Sequence, residues 1–90
     1  MGDRHAGERY KIRYSSGRFV KWGDFRWSER YVVDLERDYC CRTIESARRS
    51  CLTLVEESRG IGSEEPMLEI VRYAIEEIER DSIPYTQSIN

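Results

Sequence analysis

From Tyr10 to Tyr14 apolar and cationic residues alternate without a break, and a three-residue segment ending in glycine, Ser15-Ser16-Gly17, follows at once. Tyr10, Ile12 and Tyr14 point one way and Lys11 and Arg13 the other, which is the period of a half-buried strand. Three-residue hairpin loops place a left-handed residue near their end, where glycine carries no steric penalty. Closing this loop sets Tyr14 opposite Arg18, Ile12 opposite Val20 and Tyr10 opposite Trp22, so apolar meets apolar without a slip of register. Gly23-Asp24 then reads as a two-residue type II′ turn. It pairs Trp22 with Phe25, Val20 with Trp27 and Arg18 with Glu29. The expectation is a three-stranded antiparallel meander with one aromatic and one cationic face. Residues 30–36 stay extended, with Tyr31, Val33 and Leu35 inward, either prolonging the third strand or forming a short fourth one.

The period changes near Asp38. Cys40, Ile44, Ala47, Cys51, Leu54, Val55 and Ser58 fall on one helical stripe, predicting a helix from Cys40 to Arg59 capped by Asp38 or Thr43 and ended by Gly60. Ser63 then offers an N-cap and Pro66 suits a first turn, so Met67, Leu68, Val71, Ala74, Ile75 and Ile78 read as the stripe of a second helix that Pro84 stops. The fold class is α+β, with the meander followed by two amphipathic helices packed on its aromatic face. Residues 1–8 read as a flexible N-terminus, 9–83 as one domain and 84–90 as a tail.

Several function classes fall away. No apolar run approaches the roughly 18 residues of a bilayer-spanning helix, and the first residues lack the apolar stretch of a signal peptide, so no membrane partner and a cytoplasmic location are expected. Three cysteines cannot all pair within the chain, and without a CxxC pair or a compact His/Cys cluster no metal or other cofactor is expected. Cys40 and Cys51 read as small hydrophobes on the helix stripe. The single histidine, His5, sits in the polar N-terminus with no nucleophile beside it, and no phosphate-binding glycine loop occurs, so no catalytic residue is assigned.

Charge supplies the positive reading. The net charge of −2 splits into eight Lys/Arg against four Asp/Glu in residues 1–30 and seven against thirteen in residues 31–90. The register that buries Tyr10, Ile12, Val20 and Trp22 turns Lys11, Arg13, Phe19, Lys21 and Arg26 outward. Lys11 then faces Lys21, Lys21 faces Arg26, Phe19 lies opposite Arg13, and Arg30 extends the row. A basic sheet face carrying an aromatic fits a non-enzymatic module for RNA or single-stranded DNA. The alternative is a protein–protein adapter or inhibitor that engages a basic partner or a second copy of itself through acidic helix surfaces, with Glu76, Glu77, Glu79 and Asp81 at the end of the second helix, or through an open strand edge.

Overall fold

The computed structural model describes residues 7–26, 34–74 and 79–86. The N-terminal alternation forms β1 (Glu8–Tyr14), and the expected turn closes it: Gly17 has a φ of 96°, the Tyr14 N–H donates to the Arg18 carbonyl (2.8 Å) and the Val20 N–H to the Ile12 carbonyl (2.8 Å). The register read from the sequence therefore holds as far as Val20.

It ends there because Asp24 competes for the chain. Its carboxylate accepts from the Lys21 N–H (3.0 Å) and the Tyr14 hydroxyl (3.1 Å) and pairs with Arg18 (3.3 Å), drawing Trp22–Asp24 into one 3-10 turn. A short side chain that captures nearby backbone favours such turns over a strand ladder. The Phe25 N–H closes this turn onto the Trp22 carbonyl (3.2 Å), but the Trp22 N–H donates to the Arg37 carbonyl (3.0 Å), so no strand ladder continues from the pair. Gly23 serves close approach, since its N–H reaches the Leu35 carbonyl at 2.8 Å and an added Cβ would stand 2.9 Å from that oxygen. Phe25 turns into the core rather than starting a third strand. The remainder of that expected strand, and the first part of the 30–36 segment, lie outside the described residues.

The place beside β1 is taken by β2 (Cys40–Cys41), with Lys11 opposite Cys40 and Tyr10 opposite Cys41. Cys40 thus belongs to a strand and not to the helix stripe. The helix α1 spans Ile44–Gly60, with Thr43 as its N-cap: the Ser46 N–H donates to the Thr43 hydroxyl oxygen at 3.1 Å. Ala47, Cys51, Leu54 and Val55 are its buried side, and the left-handed residue after it is Gly62 (φ 77°) rather than Gly60.

The second helix is replaced by two strands, β3 (Leu68–Ala74) and β4 (Glu79–Pro84). All pairings are antiparallel and the sheet order is β2-β1-β3-β4. The apolar residues of 68–73 fit either period, and strand pairing settles which one operates. As a central strand, β3 buries Leu68 and Ile70 against α1 and Val71 and Tyr73 on the opposite face, whereas a helix would have buried Met67, which stands 74% exposed. Val, Ile and Tyr also suit a pleated surface better than a helix. The core lies between α1 and the sheet around Ile12, Val20, Phe25, Cys51 and Ile70. Ile12 and its cross-strand partner Ile70 are both fully buried.

Candidate binding surfaces

The sheet face turned away from α1 carries the cations that the alternation directs outward. Lys11 lies between two rings, 5.1 Å from the Phe19 centroid and 5.0 Å from that of Tyr73, and pairs with Asp38 at 3.2 Å. Its side chain keeps 12% of its exposure. Arg13, directly opposite Phe19 across the hairpin, stands 5.6 Å from the same ring and pairs with Glu69 at 2.8 Å. Glu69 also accepts from the Ser82 hydroxyl on β4. That hydroxyl, followed by the Arg13 guanidinium, holds the Glu69 carboxyl below its ordinary value. The structure brings Lys11, Arg13 and Phe19 together as the sequence suggests, and it supplies each cation with a carboxylate from a distant part of the chain.

The row Lys11–Lys21–Arg26 is not formed. Lys11 faces Cys40 and Val71, while Lys21 bridges to Asp38 through its backbone and pairs with Glu36 at 3.0 Å. Arg26 sits by the other side of the molecule, where its backbone N–H donates to the Glu57 carboxylate of α1 at 3.1 Å. Arg30 lies outside the described residues. Sequence reading missed Asp38, Glu69 and Tyr73 as members of this face. Tyr73 falls in the span whose apolar stripe reads as a second helix, and the two acids are separated from their cations by 27 and 56 positions.

A second surface lies at the far end of α1. Met67 (74% exposed) and Ile61 (63%) each line a groove together with Pro66. Grooves open around this corner. One of about 390 Å³ runs between Val55, Pro66, Met67 and Tyr85; one of about 360 Å³ continues from Tyr85, Pro84 and Thr86 to Arg48. A smaller depression of about 160 Å³ lies beside Ile61, against Leu54, Glu57 and Arg26. Burial, with Cys51 and Glu56 nearby, pushes the Tyr85 phenol above its ordinary value, so its ring floors the groove as a neutral group. The sequence placed Met67 within a helix stripe; the Ser63-Glu64-Glu65-Pro66 run ahead of it was the available sign of an extended, exposed segment.

The remaining chemistry is structural. Burial pushes the Cys51 thiol up to about 12 and raises that of Cys41, which keeps both protonated and poor as nucleophiles. Tyr39, also pushed up to about 12 by burial, shares a 2.6 Å hydrogen bond with Ser50. Among the described residues no group of three or more His, Cys, Asp or Glu is placed to hold a metal ion, and no helix is long and apolar enough to cross a membrane. The β4 edge is poorly suited to strand addition. The Tyr85 N–H donates inward to the Leu68 carbonyl (3.0 Å), so alternation turns Ser82 and Pro84 outward, and Pro84 has no N–H to offer. No protein-family model, curated protein or solved structure matches this chain.

Proposed function

We propose that this chain is a small non-enzymatic module that binds another protein through the apolar corner where α1, the Pro66-Met67 segment and the end of β4 meet. The carrying observation is that Met67 and Ile61, both more than half exposed, line two grooves that share Pro66 as a wall. Contiguous apolar surface is uncommon on a monomer and marks contact sites, and a methionine adapts its flexible, polarisable side chain to a partner's shape. The buried, protonated thiols of Cys41 and Cys51 support a role without covalent catalysis, and three free thiols support a reducing, cytoplasmic setting.

Single-stranded nucleic acid on the outer sheet face is the competing reading. Binding a phosphate there requires Lys11 to leave Asp38 and Arg13 to leave Glu69, and a base stacking on Phe19 meets a ring that already has both cations over it. A matched ion pair presents a dipole to solvent, whose field decays well within the Debye length of about 8 Å at physiological salt. Photo-crosslinking in the cells that make the protein separates the two readings, with a photoreactive residue at position 67 and, in a second variant, at position 19. Discrete protein adducts from position 67, together with no nuclease-sensitive adduct from position 19, are expected. Nuclease-sensitive adducts from position 19 with none to protein from position 67 would overturn the proposal.

A further inference from the structure

The groove beside α1 is chemically lopsided. At one end stands Arg48, exposed and without an ion pair to any described residue. At the other end Glu65 is already matched by Arg59 at 2.7 Å. The stretch between them is apolar, walled by Val55 and Met67 and floored by Tyr85, and the two halves of the groove share Pro84, Tyr85 and Thr86. An occupant is therefore selected at two points: an anionic group at Arg48 and a bulky apolar side chain between Tyr85 and Met67.

Resting on the protein-binding reading above, we infer that the groove takes an extended partner segment that carries an Asp or Glu side chain at the Arg48 end and a large aliphatic or aromatic residue over Tyr85. Arginine suits this position, because its planar guanidinium meets a carboxylate through two parallel hydrogen bonds. Tyr85 and Met67 supply the apolar anchor, with two and three side-chain torsions to adapt the fit.

The test is a methyl- and aromatic-detected NMR titration with two acetylated, amidated tetrapeptides, Leu-Phe-Asp-Glu and Leu-Phe-Lys-Lys. The acidic peptide should shift the Val55, Leu68 and Met67 methyls and the Tyr85 ring, and bind more tightly than the basic one. Arg48→Gln should weaken it by about fivefold, the scale of one solvent-exposed ion pair, and Arg48→Glu should reverse the preference between the peptides. Shifts at the same methyls that are equal for the two peptides, or an acidic preference that survives Arg48→Glu, overturn the charge-selected groove while leaving the apolar corner as a contact site. Shifts from neither peptide overturn the groove as a docking site altogether. Far-ultraviolet circular dichroism of both Arg48 variants confirms that the comparison is made on folded protein.

Discussion

The outer face of the sheet and the groove beside α1 are built from similar materials, arginine or lysine with aromatic rings and a few carboxylates, yet they are wired in opposite ways. On the outer face Asp38, Lys11, Phe19, Arg13, Glu69 and Ser82 contact one another in series from the loop before β2 across to β4. In the groove Arg48 has no described partner and Met67 is three-quarters exposed. Charge and aromatic content alone do not mark a binding surface; what distinguishes one is whether the groups are already satisfied within the chain. Side chains committed to each other lose affinity for a ligand by the free energy of their separation.

That contrast is open to direct test, and the largest effect should come from reversing one charge on the committed face. Glu69→Lys sets a cation against Arg13 and removes the acceptor of Ser82, so a loss of about 1 kcal/mol of stability is expected, the upper end for a partly exposed ion pair. Urea denaturation measures it. A variant that unfolds with the parent would mean that the Arg13–Glu69 pair is ordinary surface.

The two sides should also respond to opposite ends of the pH scale. Glu69 has a lowered pKa, so the stability it contributes is present above the ordinary carboxylate range and is lost as pH falls through its folded value. On the helix side Cys51 and Tyr39 are both pushed up to about 12. Their neutral forms are favoured by the fold, so stability is complete below the unfolded thiol value and falls as pH rises toward 12. Urea midpoints between pH 3 and 11 should decline at both ends. Cys51→Ala should flatten the alkaline limb and leave the acid limb unchanged.

The smallest effects sharpen the comparison. Lys21 pairs with a Glu36 side chain that is itself 84% exposed, so Lys21→Gln should change stability by no more than a few tenths of a kcal/mol. Met67→Ser should likewise stay within about 0.5 kcal/mol, as expected for an exposed site, while reducing photo-crosslinking from a photoreactive residue at position 61.

The sequence was legible where a local turn and a period agreed. Around Ser15-Ser16-Gly17 the alternation, the glycine and the cross-strand matches all pointed to one register, and Tyr14, Ile12 and Val20 occupy it. It misled where two periods fitted the same residues. Leu68, Ile70, Val71 and Tyr73 satisfy a helix stripe or a strand, and the choice was made by β1 on one side and β4 on the other, neither of which is local to them. Gly23-Asp24 failed for a different reason: the dipeptide suits a hairpin turn, but the Asp24 carboxylate is held by Lys21, Tyr14 and Arg18. The same non-locality hid the surfaces. Lys11, Arg13 and Phe19 were visible from alternation, whereas Asp38 and Glu69, which neutralise them, become neighbours only in the folded sheet.

The claim that the outer face is closed to a polyanion while the chain works through protein contact meets its most direct test on an immobilised single-stranded DNA column. The account predicts that the protein passes through at low salt, and that Lys11→Gln and Arg13→Gln leave its elution unchanged. Retention that disappears as salt rises, with the slope of log affinity against log salt shrinking by about 0.7 for each of those two cations removed, would contradict it and assign the outer face to nucleic acid.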